Sequence, residues 1–484
     1  MTPRDFETVV GLEVHAQLLT ESKIFCGCST AFGGEPNTHA CPVCLALPGA
    51  LPSLNRRAVE YGVRIGLALG CTVRESSVWA RKNYFYPDLP KGYQISQYEL
   101  PLCEGGGVTI DLAGGEKLVR LVRIHLEEDA GKNLHALAPD GSSGVDLNRA
   151  GVPLAEIVSA PDLRGAEEAV LYLRALRAVL MYLGVNDGNL EEGSFRCDAN
   201  VSVMPRGASK LGQRCELKNM NSFRFLKQAI EFEARRQVEV LLEGGEVRQE
   251  TRLFDPARGE TRAMRSKEDA HDYRYFPEPD LPPLVVDRTR IEAIRQSLPE
   301  LPRARAARYQ KELGLSAYDA QNLTAERAVA EYFEAALGAY GGAREGAKKV
   351  ANWVTGEGAR LGNASGLSAG AWKVTPEKLA ALLKLVDQGT LGGPGAKEIF
   401  EEIFKSGGDP AELVRQKGLA QVSDEAALLA AVDAVLGRSP DEVERYRAGQ
   451  EKLLGFFVGQ VMKELKGKGH PGLVNALVKK RLEG

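Results

Sequence analysis

The feature that most constrains this chain is a change of hydrophobic period partway along it. Up to about residue 295, short runs alternate apolar and polar residues, as at 9–18, 108–112 and 119–126. Turn-forming pairs such as Gly33-Gly34, Gly105-Gly106, Gly114-Gly115 and Asp140-Gly141 separate them. Two helical stretches interrupt the pattern, one over 166–183 stopped at Gly184 and one over 223–242 stopped at Gly244-Gly245. Glycine accepts the left-handed conformation that closes a helix. Strand runs with two long helices predict an α+β domain on an antiparallel sheet. From about Ile291 onward the pattern is helical. Thr375-Pro376-Glu377 and Ser439-Pro440-Asp441-Glu442 each read as a helix start, with an N-cap, a proline at the first position and early acids, and the serine stretch has the form of a capping box. Seams at Pro299-Glu300-Leu301-Pro302 and Ser406-Gly407-Gly408-Asp409-Pro410 predict division into 1–295, 296–407 and 408–484, the last two all-α. The strip Tyr275 to Pro283, with four prolines in nine residues, reads as an extended surface connector.

A chain of 484 residues exceeds one ordinary core, which agrees with that division. Apolar residues at 44% and charged residues at 26% exclude a disordered chain. No apolar run is long enough to span a membrane, and no apolar leader precedes the first strand-like run, so the expected location is the cytoplasm. Lys and Arg number 62 against 65 Asp and Glu, a net charge of −3, which excludes a whole-chain basic footprint. The last 22 residues differ, with six cations against two acids. The loop Lys466-Gly467-Lys468-Gly469-His470-Pro471 reads either as a phosphate-backbone contact or as a solvated surface.

Four of eight cysteines crowd into Cys26-Gly27-Cys28 and Cys41-Pro42-Val43-Cys44. Two such knuckles can present four thiolates to one structural zinc ion, and the alternative is a set of reduced thiols or a redox pair. Glu13, His15 and Gln17 share one face of a strand whose other face carries Leu12, Val14, Ala16 and Leu18. Acids recur in His125-Leu126-Glu127-Glu128-Asp129, at Glu156 within an apolar run, and at Asp187, Glu191, Glu192 and Asp198. Clustered carboxylates repel unless a cation neutralises them, and a hard ion such as Mg²⁺ fits oxygen ligands, whereas a histidine suits Mn²⁺ or Zn²⁺ better. Arg81 to Tyr93 (RKNYFYPDLPKGY) mixes cations, rings and prolines, which suits stacking on a base or simply a rigid loop. Neither a P-loop nor a Rossmann glycine pattern occurs, and no nucleophile elbow.

Together these residues resemble the B-subunit family of the tRNA-dependent (glutamyl-/aspartyl-tRNA) amidotransferases. The resemblance runs through Glu7 to His15 (ETVVGLEVH), Arg81 to Gln97, His125 to Lys132 (HLEEDAGK), Asp146 to Ser159, Asp187 to Val201, Glu216 to Phe223 and Asp272 to Leu281. It continues through Val350 to Glu357 to Gly467–Pro471, where the family usually reads GKANP. The four cysteines match its zinc-bearing branch. The resemblance implies a β-rich cradle domain at 1–295, a helical domain at 296–407, and a helical tail domain at 408–484 that touches tRNA. It also implies an activity: ATP phosphorylates the side-chain carboxylate of misacylated Glu-tRNA(Gln) or Asp-tRNA(Asn), and ammonia made from glutamine displaces the phosphate. The partners implied are the amidase A-subunit of the complex, its small C-subunit, the tRNA and a non-discriminating aminoacyl-tRNA synthetase. The alternative is a non-catalytic tRNA-binding scaffold of the same complex.

Carried over by position, Glu13, His15, Glu128 and Glu156 match the family's Mg²⁺ cluster, with Glu128 taken over Glu127. Cys26, Cys28, Cys41 and Cys44 match the zinc ligands. Lys82, Arg196, Asp198 and Lys218 are expected at the phosphates of ATP or the aminoacyl end, with structural ion pairing as the alternative. The remaining cysteines, Cys71, Cys103, Cys197 and Cys215, read as core residues.

Overall fold

The computed structural model describes residues 2–134, 142–264, 273–342, 344–420, 425–465, 469 and 471–483. The anticipated turn at Asp140-Gly141 and Lys466, Lys468 and His470 of the basic loop lie outside them. The chain divides into two compact units, Met1–Leu301 and Pro302–Gly484. The first is α+β. Its ten-stranded sheet is built from β1 (Phe6–Gln17), β2 (Thr72–Val73), β3 (Cys103–Glu104), β4 (Gly107–Leu112), β5 (Gly115–Glu128), β6 (Pro153–Ser159), β7 (Phe195–Pro205), β8 (Cys215–Lys218), β9 (Thr251–Asp255) and β10 (Glu260–Ala263). The order is β10-β9-β8-β7-β1-β6-β5-β3-β2, with β4 hairpinned onto β5. Pairing is antiparallel except between β8 and β9.

The register matters most for the site. His15 lies opposite Glu156 on β6 and Arg196 on β7, Glu13 lies opposite Asp198, and Glu156 lies opposite His125 on β5. Because side chains alternate across a strand, this places Val14, Ile157, Ile124 and Cys197 together on the other face. That apolar face packs, with full burial, against α1 (Arg56–Ala68), α2 (Ala166–Tyr182) and α3 (Phe223–Leu242) in one core. Both long helices end as expected, at Gly184 and Gly244 with positive φ, and the amides of Val185 and Gly245 close back on Leu180 and Val240.

Glu233 on α3 is fully buried and ties the far edge of the sheet to the helix layer. It accepts from Arg236 at 2.6 Å, Gln237 at 2.8 Å and Thr261 at 2.8 Å, and lies 3.2 Å from Arg252. The proline strip is less a connector than expected. Phe276–Pro277 pairs with the strand Ala80–Asn83, and buried Glu278 accepts from Arg81 at 2.7 and 2.8 Å.

The second unit is helical throughout its described residues and has two separate cores. The first includes Tyr309, Phe333, Val350, Trp372 and Phe400, and extends through Val414, with Leu419 packed against it. A cut at 407 would therefore open it. The second includes Leu428, Val432, Phe457, Val461, Val474 and Val478. Thr375 caps its helix as expected, accepting from the Lys378 amide. Ser439, at a ψ of 54° outside the extended geometry of a cap, makes no such hydrogen bond.

Burial pushes the Glu233 carboxyl up, but Arg236, Gln237 and Thr261 more than offset it and hold it below the usual range. A depressed folded value contributes stability above the unfolded pKa of about 4.3 and loses it as pH falls through the folded value. Glu233→Gln, which removes the buried charge that faces Arg236 and Arg252 and leaves them only the carboxylate of Glu250, should cost about 3 kcal/mol in urea unfolding near pH 7. The gap from the unsubstituted chain should narrow on acidification.

Candidate active site

Two features of the first unit have chemical potential. One is the cysteine knuckle. Its four Sγ atoms lie within 4.8 Å of one another, and Cys41 and Cys44 are 3.8 Å apart. A zinc tetrahedron with bonds of about 2.3 Å has edges of about 3.8 Å, so the donor set fits that ion. Local turns aim the thiols: the Leu45 amide donates to Cys41 O at 3.0 Å, Leu47 to Pro42 O at 2.9 Å, and Lys23 to Cys28 O at 3.0 Å. The hydrogen bond from Cys26 does most to bring the Cys44 thiol down to about 4. Burial opposes it, and the Cys41 amide and the Lys23 charge assist. The same sharing pushes Cys26 up, and burial pushes Cys28 up to about 11. Lys23, wholly buried, donates to the carbonyls of His39 at 2.6 Å and Leu147 at 3.3 Å, pinning the knuckle to the sheet unit. This cluster can hold a metal such as zinc.

The other feature is the polar face of the sheet. His15 Nε2 lies 3.4 Å from Glu156 Oε2. His125 Nε2 lies 3.5 Å from that same oxygen and 3.4 Å from Glu127 Oε2. Ligand atoms of His15, Glu127 and Glu156 all fall within 4.8 Å of one another. Burial raises the Glu156 carboxyl, but the charges of His125, His15 and Lys82 overcome it and leave it well below the usual range. Glu127 is lowered for like reasons: burial and Glu156 oppose, while His125 and Lys82 prevail. Burial lowers His15, and Glu156 with Glu127 more than restores it, so the imidazole sits above its ordinary value. Glu13 is raised by burial, then by Glu156 and Glu216.

Glu128, expected in this cluster, turns away from it. Leu126 faces the core, so Glu127 shares the face of His125, and Glu128 falls on the opposite side at the strand end. There it is held by the Ile95 amide at 2.8 Å and by Lys91. It lines a small cavity with Lys23, Phe25, Cys26, Cys44 and Lys91.

The structure brings Glu13, His15 and Glu156 onto one face. Asp198 lies beside Glu13 in register, and its carboxylate takes Lys218 at 2.6 Å. Lys218 also lies 2.9 Å from Glu216, and Asn200 donates to Glu13 at 2.9 Å. Arg196 pairs at 2.9 Å with buried Asp129, which Gln17 also holds at 2.7 Å. Lys82 Nζ lies 4.9 Å from the centre of the Tyr273 ring. Burial lowers Lys82, and Glu127 with its neighbours raises it further, so it stays charged. Asp187 instead builds its own loop, accepting from the Asn189 amide at 2.9 Å and from Ser194. Tyr98 stacks parallel on Tyr275 of the proline strip at 4.2 Å, and Phe85 and Tyr86 of the Arg81–Tyr93 stretch are exposed. Sequence reading chose none of Glu127, His125, Glu216 and Asp129 as site residues, having taken Glu128 over Glu127. For the first two the signal was available, since both differ in parity from core-facing Ile124 and Leu126.

Cys41→Ser should remove most of a metal content of about one zinc per chain, measured by elemental analysis of purified protein.

Residues 8–292 match the family described as GatB/GatE catalytic domain, and residues 331–482 the GatB domain. A protein of Anaeromyxobacter dehalogenans (strain 2CP-1 / ATCC BAA-258), named as the B-subunit of aspartyl/glutamyl-tRNA(Asn/Gln) amidotransferase, is 72% identical over 478 residues, covering 99% of each chain. Proteins of the same name from Myxococcus xanthus (strain DK1622) and Geotalea uraniireducens (strain Rf4) are 61% and 58% identical, each covering at least 99% of both chains. A polar sheet face gathering His15, Glu127 and Glu156 thus lies within a stretch matched to a catalytic domain, and the chain belongs to the B-subunit family of the aspartyl/glutamyl-tRNA(Asn/Gln) amidotransferases.

Proposed function

We propose that this chain is the component that activates the side-chain carboxylate of misacylated Glu-tRNA(Gln) or Asp-tRNA(Asn) with ATP. The observation that carries the reading is the meeting of His15, Glu127 and Glu156, from three strands, beside Lys82. A surface that only grips anionic RNA gains nothing by burying carboxylates in this way. With the name of its relatives, that arrangement favours phosphoryl transfer. Such chemistry depends on charge neutralisation and alignment more than on a protein nucleophile. Mg²⁺ bound by His15, Glu127 and Glu156, with Glu13 alongside, would supply the neutralising charge for the phosphates. Lys82 and Arg196 contribute fixed positive charge to the same face, and Lys218 bridges Asp198 and Glu216. Tyr98, Tyr275 and the Phe85 strip offer rings on which an adenine stacks.

The substrate's own carboxylate attacks the γ-phosphorus and ADP leaves. Ammonia then attacks the acyl phosphate and phosphate leaves, giving Gln-tRNA(Gln) or Asn-tRNA(Asn). The ammonia comes from glutamine hydrolysed by the amidase A-subunit, with the small C-subunit completing a cytoplasmic complex that receives its tRNA from a non-discriminating synthetase. The structural zinc belongs to the knuckle, and the core that includes Leu428 to Val478 is the part that engages tRNA.

In the assembled complex, Glu127→Gln should lower transfer of γ-labelled phosphate to glutamyl-tRNA by about a hundredfold or more. Glu128→Gln should lower it far less, because that carboxylate ties the Lys91–Ile95 loop. Equal loss in the two variants would overturn the assignment. Removing residues after 420, which leaves the preceding core whole, should weaken tRNA binding and reduce its salt slope while glutaminase activity persists.

A further inference from the structure

The row His15–Glu156–His125 crosses three strands in direct register, so its two imidazoles flank one carboxylate. They are not equivalent. His15 is partly open, whereas His125 is buried. Its Nε2 reaches Glu156 Oε2 at 3.5 Å and Glu127 Oε2 at 3.4 Å, one nitrogen facing two acids. Its Nδ1 is approached by Arg123 Nε at 3.4 Å, and Arg123 also lies 3.9 Å from the other Glu156 oxygen. Ser96 donates to Glu127 Oε2 at 3.0 Å from the neighbouring strand. Two buried carboxylates left to themselves swing apart, since like charges repel strongly where water is scarce. An imidazole nitrogen within 3.5 Å of both oxygens opposes that separation, and Arg123 holds the ring from its other nitrogen.

We infer that His125 is a positioning residue that clamps Glu127 and Glu156 side by side, so that with His15 they present a preformed set of ligands to a divalent cation. This rests on the metal reading proposed above. It gives His125 a role in cation affinity, with no contact to the cation. Partners that orient ligands in this way are worth about 10–100-fold in metal affinity.

The test uses the full-length, zinc-replete chain and Mn²⁺ alone, followed by electron paramagnetic resonance, which reads free and bound ion without any turnover. Unsubstituted chain should bind Mn²⁺ with one imidazole nitrogen coupled to it, and His15→Ala should abolish binding. His125→Ala should weaken binding about 10–100-fold. His125→Gln, which keeps a donor at that place and folds more readily, should recover part of the loss and keep the single-nitrogen signal. Affinity unchanged in both His125 variants, equal loss in both, or two coupled nitrogens in the unsubstituted chain overturns the clamp. Failure of the unsubstituted chain to bind Mn²⁺, or binding that survives His15→Ala, overturns the metal reading itself.

Discussion

Glu127 and Glu156 lie close together out of water, and the rest of the site is arranged around making that tenable. A carboxylate taken into a protein interior loses its hydration and shifts toward its neutral form unless charge or hydrogen bonds compensate. Here the compensation comes from several sides: His15 and His125 on the sheet, the Ser96 hydroxyl, and the charge of Lys82. Both groups consequently stay ionised, which is the form that binds a cation.

That balance is set by the sheet. Five adjacent strands, β8-β7-β1-β6-β5, carry Lys218, Asp198, Glu13, Glu156 and Glu127 on one face while their alternate residues form the core against three helices. A one-residue slip of β6 would exchange Glu156 for Ile157 and bring the carboxylate into the apolar core, so register and site are specified by the same hydrophobic alternation. The Glu233 network and the Arg81–Glu278 pair serve that geometry at a distance, the first fastening the sheet's far edge and the second fastening the proline strip to the Ala80–Asn83 strand. The knuckle solves a different problem. Its loop, 26–44, has little core of its own, and four thiols with a buried lysine take the place of apolar packing.

Much of this was legible in the sequence, because it depends on local periodicity. The period-two runs, the two helices with their terminal glycines, the change to helix after residue 291 and the paired cysteines all report interactions that neighbours along the chain make with each other. The polar face of β1 was legible for the same reason. Family likeness then supplied what periodicity could not, the set of distant residues to look for.

Choosing between neighbouring residues required the fold. Glu127 and Glu128 are identical in type and adjacent, and carry-over by position selected Glu128; alternation along β5 separates their faces, and the pairing of β5 with β6 then sets the first beside Glu156 while the second meets Lys91. Likewise the reach of the first helical core to Val414 and the uncapped Ser439 follow from long-range packing and from how the backbone turns. By itself the sequence determined the elements, the fold class and the kinds of group available, because these rest on short-range preferences. Which of those groups meet was decided by strand register and long-range packing, because contacts between residues more than a hundred positions apart leave no trace in local pattern.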